Sequence, residues 1–104
     1  PSTGGSSMET ETRVYTRYSI LTEDINRLGI VHLCREHKID CTLYEGVGLF
    51  NGSIKPSLTI AHLAPLEANA KEKVKALARV IKAVNNQREV WITEETVTLK
   101  KLLD

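Results

Sequence analysis

The 104-residue sequence has no excess of one charge sign, few cysteines and no long apolar run. Its formal net charge of +1 gives no reason to expect binding to nucleic acid or to an anionic membrane. No apolar stretch approaches the roughly 20 residues that span a bilayer, and no secretory signal is visible. The two cysteines, Cys34 and Cys41, lack the CxxC spacing of metal and redox sites. We therefore expect free thiols and a cytoplasmic protein.

The patterns that mark common catalytic sites are also missing. Gly46 and Gly48 lie within a predicted strand, without the following helix that would hold a phosphate, and no GxSxG elbow occurs. His32 and His37 are five residues apart, so they do not share a helix face as two metal ligands would. The run of basic, glycine and aromatic residues with which small β-sheet domains bind RNA is absent as well. We predict no metal and no cofactor, and we do not expect a nucleic-acid partner.

The strongest positive signal is a β-hairpin in the middle of the chain. Asn51-Gly52 separates two strand-like runs, 40–50 and 57–63. Asn and Gly tolerate the positive φ angles of a tight hairpin turn, so this dipeptide predicts that the two runs pair. Pro56 lacks an amide donor and indicates a strand start or a sheet edge.

The elements around this hairpin predict the rest of the fold. A strand at 13–21, a helix from Thr22 to about residue 37, a helix from about residue 70 to 85 and a strand at 89–99 complete the order β-α-β-β-α-β. Thr22 is the expected N-cap of the first helix. Gly29 inside that helix suggests that a neighbouring backbone approaches closely. Residues 9–104 are predicted to be one domain, and residues 1–8 resemble a flexible tag with Met8 as the natural start.

Two features suggest that copies of the chain associate. Apolar residues of the first helix spread over more than half its circumference, which predicts either deep burial or contact with a second subunit. Gly46 and Gly48 clear one strand face, either for packing or for a ligand. We predict an intersubunit cleft lined by Tyr44, Gly46, Gly48, Phe50, His62 and Trp91. His62 has a second interpretation, a structural hydrogen bond at a strand end.

The element order resembles the ferredoxin-like fold, an α+β fold with a four-stranded antiparallel sheet and two helices on one face. Within it, the runs YEGVGLFNGSIKPSLTI and REVWITEETV resemble the PII-like and CutA-like group. The resemblance implies a trimer that binds ligands in the clefts between its subunits. The long loop that PII signalling proteins carry between the second and third strands is missing, because 51–56 is short.

The same architecture resembles phage enzymes that degrade S-adenosylmethionine. That resemblance implies a tyrosine in or near the hairpin and a glutamate near the third strand. Here the hairpin has Phe50, and 54–57 has no glutamate, so Tyr44 and Glu45 are the nearest substitutes. Three hypotheses follow: a homo-trimeric module that binds a small molecule or a protein, a lyase acting on S-adenosylmethionine, and a phage-type inhibitor of a host protein.

Overall fold

The structure is a computed structural model that describes residues 9–104, apart from the side chain of Phe50. The predicted element order is confirmed. Its elements are β1 (Thr10–Glu23), α1 (Arg27–Glu36), β2 (Thr42–Phe50), β3 (Ser53–Pro65), α2 (Lys71–Val84) and β4 (Trp91–Leu102). The tag-like segment, residues 1–8, lies outside the described residues. No helix within residues 9–104 is long and apolar enough to cross a membrane.

All four strands form one antiparallel sheet in the order β2-β3-β1-β4. The side chains of Ile20 and Ile60 are paired neighbours on adjacent strands and are buried beneath the helices. The core is completed from α1 by Ile30 and from α2 by Leu77 and Ile81, whose side chains are also buried. Both helices therefore pack on one side of the sheet, as the ferredoxin-like prediction requires. The other side, which we call the open face, carries no element of residues 9–104.

The Asn51-Gly52 turn forms as predicted. Both residues have positive φ angles, 50° for Asn51 and 78° for Gly52. Phe50 pairs with Ser53 directly before and after them, so the loop has two residues. This backbone twist matches the right-handed twist of paired strands, which is why the turn joins them without splaying.

The start of α1 differs from the prediction. Thr22 is not the N-cap, because β1 continues through Glu23 and buries Thr22. The cap is Asn26, whose side-chain oxygen accepts a hydrogen bond from the Gly29 amide at 3.3 Å. A Cβ atom at Gly29 would collide with the Asn26 amide group. The close neighbour predicted for Gly29 is thus the cap side chain and not a backbone from another element.

The two halves of the sheet are staggered along the strand direction. Pairing of β1 with β3 ends at Glu23 and Ser57, whereas pairing of β2 with β3 continues to the turn. We call the projecting part of the hairpin, residues 46–56, the β2–β3 arm. Pro56 lies inside β3, beyond the end of β1, where its missing donor breaks no ladder. The stagger gives the molecule its length, with extents of 59 × 31 × 22 Å.

Candidate functional site

The open face carries two large aromatic side chains at one level of the sheet. Tyr44 pairs with Thr59, Thr59 pairs with Leu21, and Leu21 pairs with Trp91. Directly paired residues of antiparallel strands point to the same side, so these four side chains form one line across the sheet. We call them the Tyr44–Trp91 row. Its ends are about 14 Å apart, which is three strand spacings.

The row is strongly exposed for residues of its type. Tyr44 is 57% exposed, Leu21 38% and Trp91 62%. Large apolar side chains gathered on one bare surface are typical of a binding or assembly site. The row therefore marks the open face as a candidate surface for a ligand or a second chain.

Smaller side chains and one ion pair continue the open face beside the row. The next line across the sheet contains only Thr42, Ala61, Ser19 and Thr93. Beyond it, the Arg17 guanidinium binds the Glu95 carboxylate, with an Nη2–Oε1 distance of 3.1 Å. The open face thus combines aromatic rings, hydroxyl groups and an arginine. These groups suit a flat ring that bears polar or anionic substituents.

The predicted glycines lie on the same side of β2 as Tyr44, where the arm begins. A Cβ atom at Gly46 would approach the Ser57 hydroxyl oxygen to 3.0 Å, so part of the need for glycine comes from the neighbouring strand. Gly48 pairs with Lys55 farther along the arm. Phe50 is the last residue of β2, and its side chain lies outside the described part of the chain.

Two residues considered in the sequence point away from the open face. His62 pairs with the buried Tyr18 on the helix side, and its Nδ1 atom lies 2.6 Å from the Asp40 carbonyl oxygen. This contact matches the structural hydrogen bond considered for His62. Glu45 also faces the helices, where its carboxylate accepts a hydrogen bond from Arg27 at 2.9 Å.

The ion pair with Arg27 favours the ionised form of Glu45. The hydrogen bond from Arg27 lowers the pKa of the Glu45 carboxyl below its ordinary value. Arg27 also binds Asp24, so one guanidinium joins two carboxylates at the start of α1. Because Tyr44 and Glu45 are consecutive strand residues on opposite faces, one chain does not bring them together at a single reacting group.

Cys34 lies within α1 and Cys41 directly precedes β2, and both cysteines are free. Burial raises the pKa of the Cys34 thiol to about 12, which makes it a poor nucleophile at neutral pH. No group of three or more potential metal ligands occurs among the described residues 9–104.

Sequence reasoning missed the parts of the open face that depend on strand pairing. Leu21, Thr59 and the Arg17–Glu95 pair come from three strands that are far apart in the chain. The alternation within each strand gives which residues share its faces, but it does not give the register between strands. No signal in a single sequence would have aligned Trp91 with Tyr44.

No family model matches the sequence, and no curated protein does. Among solved structures, the chain has the fold of PII-like proteins. It is similar to the nitrogen regulatory PII-like protein CPII from Thiomonas intermedia, solved with ADP, AMP and bicarbonate. The TM-score is 0.58 at 11% identity, over 86% of this chain and 96% of CPII.

Phage S-adenosylmethionine lyase has the same fold. Its complex with S-methyl-5'-thioadenosine matches with a TM-score of 0.61 at 11% identity, over 86% of this chain and 92% of the lyase. The apo lyase gives a TM-score of 0.57 at 14% identity, over 100% of this chain and 97% of the lyase. These identities establish a shared fold and leave the activity of this chain to be inferred from its own residues.

Proposed function

We propose that the protein is a homo-oligomeric small-molecule-binding module, with three copies that meet through their open faces. The observation that carries the proposal is the Tyr44–Trp91 row, which leaves aromatic and aliphatic surface exposed on the sheet side without helices. A second copy that covers this surface would stabilise the assembly by about 25 cal/mol for each Å² of apolar area removed from water. The clefts at the edges of the covered area would then hold the ligand.

The ligand class that we propose is an adenosine-containing small molecule. CPII was solved with ADP and AMP, and the phage lyase with S-methyl-5'-thioadenosine, so two proteins of this fold hold an adenosine group. The exposed rings of Tyr44 and Trp91 are suited to stacking against a base. Arg17, at the far side of the small side chains, donates to Glu95 through Nε and Nη2 and keeps Nη1 for an anionic substituent.

A thermal-shift series tests this proposal. AMP, ADP and S-methyl-5'-thioadenosine are added separately to the wild type, to Tyr44→Ala and to Trp91→Ala. A ligand that binds only the native state increases the free energy of unfolding, by about 2.7 kcal/mol when its concentration is 100 times its Kd. The unfolding temperature rises accordingly. We expect a shift in the wild type that both variants lose, and Val84→Ala, exposed on α2, serves as the control that keeps it. No shift with any of the three compounds would contradict the proposed ligand class.

The two free cysteines support a cytoplasmic location as part of this proposal. Neither Cys34 nor Cys41 forms a disulfide in the structure. Free thiols persist in reducing compartments and are uncommon in secreted proteins of this size.

A lyase acting on S-adenosylmethionine is the second candidate, and the match to the phage enzyme over nearly the whole of both chains favours it. Tyr44 is the open-face residue available to such a reaction. Glu45 is bound to Arg27 on the other face and would act only from a different copy. Incubation with S-adenosylmethionine, followed by chromatography for S-methyl-5'-thioadenosine, tests this candidate. No product from the wild type would exclude the lyase, and full activity of Glu45→Gln would exclude a role for Glu45.

A further inference from the structure

The outer edge of β2 along the β2–β3 arm is an unguarded strand edge. β2 pairs only with β3 among the described strands, so its other side presents free backbone groups. Its segment Gly46–Phe50, with the sequence GVGLF, carries no charged residue. Natural edge strands are usually protected by charges, prolines or bulges, because a bare edge pairs with other chains.

The opposite edge of the sheet shows what such protection looks like in this molecule. β4 carries Glu94, Glu95, Lys100 and Lys101 along its twelve residues. The arm segment of β2, Gly46–Phe50, carries no such charges, and this contrast favours pairing of that segment with another strand. Pairing would also stabilise the arm itself, because a two-stranded ribbon is only marginally stable alone in water.

The exposed apolar side chains of the arm support the same conclusion. Val47 is 74% exposed, Leu49 71% and Ile54 75%, and all three lie on the helix side of the arm, beyond the reach of α1. Covering apolar side chains of this kind stabilises an assembly because it removes their surface from water. A neighbouring strand at β2 would cover the flank of Val47 and Leu49 while satisfying the backbone.

The direction of the backbone groups follows from one contact. The Pro56 carbonyl accepts a hydrogen bond from the Asp24 amide at 3.1 Å, so Pro56 faces away from β2. Its paired residue Val47 must then face away from β3, because antiparallel ladders alternate between bonded and non-bonded pairs. By the same alternation, the amide and carbonyl groups of Glu45 and Leu49 point outward, and those of Gly46 and Gly48 point to β3.

We infer that β2 pairs antiparallel with β2 of a second copy, about a two-fold axis at Val47. This contact is independent of the open face and goes beyond the proposed function. An axis at Val47 places Glu45 opposite Leu49 of the second copy and forms about six main-chain hydrogen bonds. An axis at Glu45 would place two carboxylates opposite each other, which is destabilising. A two-fold contact also satisfies both identical edges at once.

Pairing of the β2 edges would double the number of copies in the assembly. Edge pairing would join two copies into one eight-stranded sheet with the helices of both copies on the same side. If the open faces assemble three copies, the β2 contact joins two such trimers into a six-copy particle with dihedral symmetry, a common arrangement of soluble oligomers. Three repeats of one small contact would then act together.

Substitutions at Val47 separate backbone pairing from side-chain contact. Val47→Pro removes the outward amide at the axis and keeps the ladder to β3, because the lost donor faces away from it. Val47→Thr keeps the amide and the branched shape and removes apolar surface. In sedimentation experiments at matched concentrations, we expect Val47→Pro to halve the number of copies in the particle and Val47→Thr to leave it unchanged. An unchanged particle in Val47→Pro, or equal dissociation in both variants, would overturn edge pairing.

Amide hydrogen exchange of the wild type tests the same contact without any substitution. Val47 and Leu49 should exchange about tenfold or more slowly in the assembled protein than in dilute samples, and Gly48 should be equally protected in both. Rapid exchange at Val47 in the assembled protein would refute the inference, even if Val47→Pro failed to fold. Trp91→Ala, which tests the open face, should leave the protection of Val47 intact, so the two proposals fail separately.

Discussion

Removal of the Trp91 side chain is the sharpest test of assembly through the open face. Trp91 is the only tryptophan of the chain, and it ends the Tyr44–Trp91 row on β4. In the single chain it is 62% exposed. If copies cover the open face, Trp91→Ala should weaken their association, whereas an uncovered tryptophan would leave association unchanged.

The size of the effect follows from the exposed area. A tryptophan buries about 150–250 Å² when fully enclosed, so its exposed part corresponds to about 90–155 Å². At 25 cal/mol per Å², covering that part stabilises the assembly by about 2–4 kcal/mol per copy. The association constant for each contact should therefore fall by about 40- to 700-fold in Trp91→Ala.

Two measurements check this prediction. Sedimentation equilibrium gives the association constants of the wild type, of Trp91→Ala and of Val84→Ala, whose substituted side chain is exposed on α2 away from the sheet. Because the protein has a single tryptophan, the fluorescence emission of the wild type should also shift to shorter wavelength as copies assemble. An association constant unchanged by Trp91→Ala, or emission that does not vary with concentration, would refute the covering of the open face.

Three further predictions concern stability. Gly29→Ala should destabilise the wild type by about 1 kcal/mol because the new Cβ displaces the Asn26 cap. In an Asn26→Gly background the same substitution should stabilise the protein, because alanine favours a helix more than glycine does. Urea unfolding of the four proteins measures both effects, and equal effects in the two backgrounds would contradict the cap. Gly52→Ala should cost about 1–2 kcal/mol because φ is 78° there with open space around the new Cβ, and a smaller loss in thermal unfolding would argue against the left-handed turn. The pKa of Cys34 is raised from 9.0 to about 12 in the folded protein, so its contribution to stability is complete below pH 9 and is lost toward pH 12 by about 1.4 kcal/mol per pH unit. Cys34→Ala should remove that part of the slope, and an identical slope in the variant would show that Cys34 is not its source.

Local patterns in the sequence were sufficient for the elements and their order. The Asn51-Gly52 pair requires positive φ angles that few other dipeptides tolerate, so the hairpin could be placed from two residues. The apolar spacing along α2 likewise predicted which side of that helix is buried, and Val74, Leu77 and Ile81 are indeed in the core. These features depend on residues within one or two turns of each other, and a single sequence contains all the information they need.

The start of α1 could not be predicted in the same way. Thr22 has the chemistry of an N-cap, but its pairing with Leu58 extends β1 and leaves the cap to Asn26. Pairing between distant strands therefore selected one of two local alternatives. For the same reason, the meaning of Gly29 became clear only when the Asn26 side chain was seen beside it.

Turn chemistry and hydrophobic spacing act over short distances, so they were enough to predict a four-stranded α+β domain with a tight central hairpin. Three features became visible only in the folded chain: Tyr44 and Trp91 lie at one level of the sheet, His62 and Glu45 face the helices, and the hairpin projects as an arm. Each of these depends on the register between strands distant in the chain. Register is set by the packing of the whole sheet, which no local pattern contains.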